Sequence, residues 1–116
     1  MSADPQAIFD LAAFDRQTGG DISLRNEITQ MFLEDCPQRV AEIRDAVANG
    51  DAAALVAVAH SLKGSAAYMC VSIVRGHAGE LERMGREGRL GEAPALVDAL
   101  DAAVAEVLPE LRKLNG

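Results

Sequence analysis

The sequence predicts an all-α fold, an antiparallel up-and-down four-helix bundle with a short extra N-terminal helix. Apolar residues recur at intervals of three and four along nearly the whole chain, and no segment alternates with the period of two that a strand requires. The turns between these segments are short, so consecutive long helices should run antiparallel. At 116 residues the chain has the size of one domain. We therefore predict a single domain over residues 1–116, with a helix and turn in 1–20 and the bundle in about 21–114.

The short helix and the first long helix lie before residue 50. Apolar residues predict a short helix that ends at the turn of residues 18–20: Ile8, Leu11, Ala12 and Phe14. The first long helix has a longer apolar stripe: Leu24, Ile28, Phe32, Cys36, Val40, Ile43 and Val47. Pro37 lies inside this stripe, where the loss of a backbone donor predicts a kink or a break. Gly50 should end this helix, and Asp51 should cap the next one.

Three further helices complete the predicted bundle. The second long helix runs from about Asp51 to Met69. The third is capped by Ser72. Its end and the following loop are predicted at three glycines spaced three residues apart: Gly85, Gly88 and Gly91. Its inner side is predicted to carry Ile73, Val74, His77, Leu81 and Met84. The last helix begins near Pro94, should kink at Pro109, and has an apolar seam: Val97, Leu100, Val104, Val107, Leu111 and Leu114.

Composition excludes several classes of partner. The formal net charge of −7 would repel a phosphate backbone, and an aromatic content of 3% is too low for a base-stacking surface, so we expect no nucleic acid. The longest wholly apolar run, residues 52–59, is far shorter than the roughly 20 residues of a membrane helix, so we expect no membrane association. The N-terminus lacks the features of a signal peptide, and two cysteines form no disulfide framework. We predict a cytoplasmic monomer.

The second long helix carries the residues that predict a function. Its core stripe consists of Leu55, Val58, Leu62, Ala66 and Met69. At 100° per residue, His60 falls almost opposite the centre of that stripe, with Lys63 and Gly64 within one turn of it. Small and apolar residues on the outward side predict a face on which a partner docks: Val56, Ala67 and Val71, with Tyr68 at its edge.

An exposed imidazole beside a lysine and a glycine suits phosphoryl transfer. Neutral imidazole is available near pH 7, since its ordinary pKa is about 6.5, and it is a competent nucleophile. An ammonium one turn away could hold the oxygens of a phosphoryl group, and a mid-helix glycine lets a partner approach closely. We predict that His60 is the nucleophile, that Lys63 stabilises the phosphoryl group and that Gly64 gives access.

Residues 59–66, Ala-His-Ser-Leu-Lys-Gly-Ser-Ala, closely resemble the signature of the histidine-containing phosphotransfer (Hpt) domain of bacterial phosphorelays. The resemblance implies a four-helix bundle in which His60 accepts and donates a phosphoryl group. The implied partner is the receiver domain of a response regulator or hybrid kinase, whose aspartate exchanges the group with His60. Any Mg²⁺ would belong to the receiver, so no cofactor is expected in this chain. No glycine-rich ATP lid is present in the sequence, so we expect no autokinase activity.

Three residues depart from the family pattern. Cys70 stands where Gly is common, Tyr68 where a small polar residue is common, and His77 where an apolar residue is usual. We interpret His77 as a partly buried histidine with a hydrogen-bond partner. The charged residues around the end of the third helix are interpreted as a solvated surface: Glu82, Arg83, Arg86, Glu87 and Arg89. Three methionines are expected in the core: Met31, Met69 and Met84.

Two alternatives belong to other classes of protein. A bundle that binds a metal or haem through His60 and His77 is disfavoured, because the sequence has no paired Glu-x-x-His motifs. An adaptor that binds receivers without transferring phosphate would keep the same motif. The adaptor predicts that replacement of His60 leaves the biological output intact, whereas the phosphocarrier predicts loss of output with folding preserved.

Overall fold

The computed structural model describes residues 9–115 of the chain, the last of them by its backbone alone. Its helices are α1 (Leu11–Gln17), α2 (Ile22–Ala48), α3 (Ala52–Met69), α4 (Ser72–Glu87) and α5 (Ala93–Asn115), with a 3-10 turn, Leu90–Glu92, before α5. Each long helix packs against the next one in sequence, and α5 packs back against α2. The predicted all-α bundle with a short extra helix is confirmed. Ile8, assigned to the first helix, lies outside the described residues.

Aspartates cap the first three helices. The side chains of Asp10, Asp21 and Asp51 each accept a hydrogen bond of 3.0 Å from the backbone N–H three residues later. The prediction of Asp51 as a cap is confirmed. The prediction for α4 is wrong, since Ser72 is the first helical residue and Val71 occupies the cap position without a side-chain bond. The turn before α4 is tight, and a fully buried Val71 side chain anchors it in the core.

The core runs along the inner faces of the four long helices. On α3 the fully buried residues are Leu55, Ala59, Leu62, Ala66 and Met69. Val58, which was predicted in this stripe, is only half-buried, and Ala59 lies in the core instead. On α4 they are Val74, Ala78 and Leu81. Phe14 of α1 is completely buried and brings the short helix onto the end of the bundle. Within residues 9–115 no helix is both long and apolar enough to cross a membrane.

Neither internal proline breaks its helix. α2 continues through Pro37 and α5 continues through Pro109. Both prolines are exposed, so water can compensate for the missing backbone hydrogen bond on the outer side of the helix. The third long helix ends among the three glycines, as predicted: α4 continues through Gly85 to Glu87 and is capped by Gly88, which has a φ of 71°.

α3 and α4 make the most extensive contact of the helix pairs in residues 9–115, and two residues shape it. Cys70 ends α3 in the left-handed conformation, with a φ of 62°, and reverses the chain within two residues. Gly85 then lies against α3: a Cβ atom there would come within 2.7 Å of Val56 Cγ2 and 3.3 Å of the Ala52 carbonyl oxygen. The absence of a side chain at Gly85 therefore sets the distance between the two helices.

We predict that Gly85→Ala lowers the free energy of unfolding by about 1–3 kcal/mol, because the added methyl group collides with a stiff valine and with backbone. Gly76→Ala is the matched control on the same helix, since a Cβ there meets nothing within 4 Å. It should raise the free energy of unfolding by up to about 1 kcal/mol through helix propensity alone. Urea titrations of both variants measure the difference, and equal effects would contradict this account of the helix contact.

Candidate functional site

His60 projects from the middle of α3 into solvent. Its side chain is 65% exposed, while its neighbours in sequence Ala59 and Leu62 are completely buried. The helix thus separates an inner apolar stripe from an outer face that carries the imidazole, as the spacing predicts. One ring nitrogen is not free, however, because Nδ1 lies 3.1 Å from Oε2 of Glu82 on α4.

Glu82 is a buried carboxylate between α3 and α4. Only 5% of its side chain is exposed, in a helix whose other buried residues are all apolar. Gly79 and Gly85 lie one turn before and one turn after it on the same face of α4. Gly79 faces the Lys63 side chain, whose Cδ would contact an added Cβ at 3.5 Å, and Gly85 faces Val56. Gly85 is the residue that brings α4 close enough to α3 for Glu82 to reach His60, since a Cβ at Gly79 would make only an ordinary contact with Lys63.

Two cations share this carboxylate with the imidazole. Nζ of Lys63 lies 2.7 Å from Oε1, and Nη2 of Arg86 lies 2.6 Å from Oε2. The hydrogen bonds from Lys63, Arg86 and His60 outweigh the cost of burial and lower the pKa of Glu82 to about 2. Glu82 is therefore ionised at neutral pH.

The ionised carboxylate determines which nitrogen of His60 carries the proton. A carboxylate has no hydrogen to donate, so the bond between Glu82 and Nδ1 requires the hydrogen on Nδ1. The neutral ring then has its lone pair on Nε2. This arrangement leaves the lone pair of Nε2 on the side of the ring away from Glu82.

The other residues predicted for the site lie in different environments. Gly64 is exposed with nothing within 4 Å of a Cβ position, and Ala67 and Tyr68 are also exposed. Val56 is half-buried against α4. Val71 is completely buried, so its assignment to the docking face is wrong. The spacing of 100° per residue ceases to apply where α3 ends at Cys70, and the chain carries Val71 inward.

The roles of Glu82 and Arg86 were not predicted, since the charged residues near the end of the third helix were interpreted as a solvated surface. Glu82 instead pairs with His60, Lys63 and Arg86. The available signal was the position of Glu82 midway between two glycines that share its helix face. That pattern predicts a close neighbour for this side of α4, although it does not say which residues of the neighbour face it.

A groove separates α2 from α3 on the side of the bundle that Tyr68 borders. It encloses about 330 Å³. Its apolar lining comes from both helices: Ile28, Met31 and Phe32 of α2, with Leu62, Tyr68 and Met69 of α3. Met31 is 60% exposed, so its assignment to the core is wrong. We call this surface the α2–α3 groove.

His77, the other histidine, is partly buried on α4, as predicted. No hydrogen bond joins its ring to any residue in the range 9–115, so the partner that was expected for it is absent there. Over the same range, no group of three or more His, Cys, Asp or Glu side chains is arranged to hold a metal ion. Cys36 is buried, and burial raises the pKa of its thiol to about 12, so the residue packs as a small apolar side chain in the stripe predicted for α2.

Comparison with known proteins identifies the family. Residues 27–110 match the family model of the Hpt domain. The chain belongs to the Hpt domain family. It is similar to the crystal structure of histidine-containing phosphotransfer protein B (HptB) from Pseudomonas aeruginosa PAO1, with 26% identity, a TM-score of 0.88, and 97% of this chain and 96% of that chain covered. No curated protein matches it.

A second structure has the same fold at lower identity. It is the Hpt domain of a sensor hybrid histidine kinase from Shewanella, with 18% identity, a TM-score of 0.83 and 94% of each chain covered. Membership in the Hpt family assigns this protein a phosphotransfer role in phosphorelays. Hpt domains interact with the receiver domains of hybrid kinases and response regulators.

We predict that Glu82 contributes to stability at neutral pH and that this contribution disappears in acid. Its pKa is about 2 in the folded protein against an ordinary 4.5, so the contribution is complete above about pH 5 and falls as the pH drops through 4.5 toward 2. The difference in unfolding free energy between wild type and Glu82→Gln should decrease by on the order of 1–2 kcal/mol between pH 6 and pH 3. Urea titrations at several pH values measure it, and a difference that is constant with pH would contradict the ion-pair network.

Proposed function

We propose that His60 is the residue that carries the phosphoryl group, and that Nε2 is the atom to which the group is attached. One observation carries this proposal: Nδ1 of an exposed His60 is held by the ionised carboxylate of Glu82. The opposite nitrogen then faces solvent with its lone pair free. In a family that transfers phosphoryl groups, this is the nucleophile that the reaction requires.

The transfer exchanges one bond to phosphorus for another. Nε2 of His60 attacks the phosphoryl group of an aspartyl phosphate in a receiver, the N–P bond forms, and the P–O bond breaks with its electron pair remaining on the aspartate carboxylate. The ring becomes positively charged and keeps its hydrogen on Nδ1, next to Glu82. The reverse sequence passes the group to another receiver. The reaction needs positioning and charge neutralisation rather than further covalent chemistry.

Lys63 and Gly64 assist at the same surface. The ammonium group of Lys63 is anchored on Glu82 Oε1 and has further N–H groups for phosphoryl oxygens beside His60. Gly64, one turn along α3, leaves open surface over which the receiver approaches the ring. The Mg²⁺ ion of the reaction is assigned to the receiver, and no cofactor is assigned to this chain.

The α2–α3 groove is the proposed docking surface for the receiver. It adjoins the outer face of α3 at Tyr68, and Ala67 and Tyr68 continue that face toward Gly64 and His60. Exposed apolar surface next to a reactive group favours contact with a protein partner. Met31 is its most exposed apolar residue.

We predict that His60→Ala abolishes transfer of radiolabel from phosphorylated receivers, with helical circular dichroism unchanged because the side chain is on the surface. His77→Ala is the matched control and should accept label normally. Lys63→Ala should accept label at least about tenfold more slowly, because a charge-assisted hydrogen bond to the phosphoryl group is lost. The label should be labile in acid and stable in alkali.

A negative result in the same assay would contradict the proposed phosphocarrier function. If no receiver in a panel from the source genome passes label to wild type, His60 is not a relay residue. Receiver binding that persists without label, and equally in His60→Ala, would identify the adaptor function instead.

We predict that Met31→Ala weakens receiver binding by about three- to tenfold, because apolar area in the groove is lost. Ile22→Ala is the matched control, since Ile22 is equally exposed on α2 but lies outside the groove. Isothermal titration with one receiver compares the two variants. Equal weakening, or none, would show that the receiver docks elsewhere.

A further inference from the structure

Arg86 contacts the same carboxylate oxygen as His60. Its Nη2 donates to Glu82 Oε2 at 2.6 Å, and His60 Nδ1 lies 3.1 Å from that atom. The Arg86 side chain is 60% exposed, and this bond is the only one it makes to residues in the range 9–115. Its remaining N–H groups are therefore available, on a long side chain that is held beside the imidazole.

The charges around Glu82 do not cancel. The ammonium of Lys63 lies 2.7 Å from Oε1, so the buried carboxylate offsets one positive charge. Arg86 adds a second positive charge to the same carboxylate, and the cluster has an excess of one positive charge while His60 is neutral. This excess stands in a chain whose formal net charge is −7. A phosphoryl group adds a charge of about −1.5 to −2 at neutral pH, so the excess positive charge of the cluster favours its attachment to His60.

We propose that Arg86 is a second cation that binds the phosphoryl group on His60. This inference rests on the proposed function, since it requires the group to be attached to His60. A guanidinium group has five N–H donors in a planar fork, so Arg86 can remain on Glu82 through Nη2 and present the others to phosphoryl oxygens. Lys63 and Arg86, which share the carboxylate of Glu82, then both attract the phosphoryl oxygens.

This role has a consequence for the lifetime of the phosphorylated protein. In hydrolysis the N–P bond breaks, a water oxygen bonds to phosphorus, the electron pair stays on Nε2, and the products are the neutral ring and inorganic phosphate. The transition state is loose, so negative charge on the phosphoryl oxygens falls as the group leaves. A cation that holds those oxygens stabilises the phosphorylated protein more than the transition state. Arg86 should therefore slow hydrolysis.

The test uses the full chain with His77→Ala in every variant, so that label reports only on His60. Phosphoramidate, a small phosphoryl donor, labels the imidazole without any receiver. The half-life of phosphohistidine at pH 8 is followed by ³¹P NMR. We expect Arg86→Gln to shorten the half-life about fivefold and Arg86→Lys to restore most of it.

Arg83→Gln is the matched control. Arg83 lies on the same helix, is similarly exposed and is paired with Glu80 rather than with Glu82, so its removal changes the net charge equally. Its half-life should stay within about twofold of wild type. Equal effects of Arg83→Gln and Arg86→Gln would overturn the proposal, since only general electrostatics would then be at work.

A second comparison separates direct contact from an effect through the carboxylate. If Arg86 touches the phosphoryl group, Arg86→Gln should shorten the half-life in a Glu82→Gln background as well. If its effect disappears there, Arg86 acts only through Glu82 and the proposal is wrong. If no receiver phosphorylates the protein but Arg86→Gln still shortens the half-life, the proposed relay function is wrong and the contact between Arg86 and the phosphoryl group is supported. If His60 takes no label from phosphoramidate, the proposal for His60 and the proposal for Arg86 are both wrong.

Discussion

The site depends on one buried carboxylate. Glu82 accepts hydrogen bonds from an imidazole and a guanidinium group and forms an ion pair with an ammonium group, while only 5% of its side chain is exposed. A buried carboxylate without such partners would take up a proton, and it could then no longer hold the hydrogen on Nδ1 of His60. The pKa of about 2 shows that the partners prevail over burial. The orientation and the tautomer of His60 both follow from this.

The packing of α3 against α4 positions the carboxylate of Glu82 next to His60. Gly79 and Gly85 remove side chains on either side of Glu82, and the left-handed Cys70 reverses the chain tightly enough for the helices to lie side by side. A backbone φ near 60° is readily adopted by glycine and costs free energy for other residue types. Cys70 therefore adopts this left-handed conformation at some cost in stability. The contact between α3 and α4 thus positions the residues around the imidazole. The rest of the bundle packs against this pair of helices through an apolar core.

Features that depend on local sequence were predictable, and features that depend on the neighbouring helix were not. The periodic apolar spacing predicted the bundle, and the position of His60, Lys63 and Gly64 on one helix follows from helix geometry alone. Val71 was misassigned because the helix ends at Met69 and the chain reverses at Cys70. Met31 was misassigned because an apolar residue at helical spacing need not be covered by a neighbouring helix. Glu82 and Arg86 belong to α4, and a single sequence does not indicate which turn of α4 faces His60.

The hydrogen on Nδ1 of His60 is the central claim, because the choice of Nε2 as the nucleophile rests on it. Long-range ¹H–¹⁵N correlation spectra of protein labelled with ¹⁵N-histidine report the tautomer of each ring directly. At a pH where His60 is neutral, the account predicts that its hydrogen resides on Nδ1 in wild type and that Glu82→Ala shifts the equilibrium toward Nε2. A hydrogen on Nε2 in wild type would contradict it, since the nitrogen that faces solvent would then have no lone pair with which to attack phosphorus.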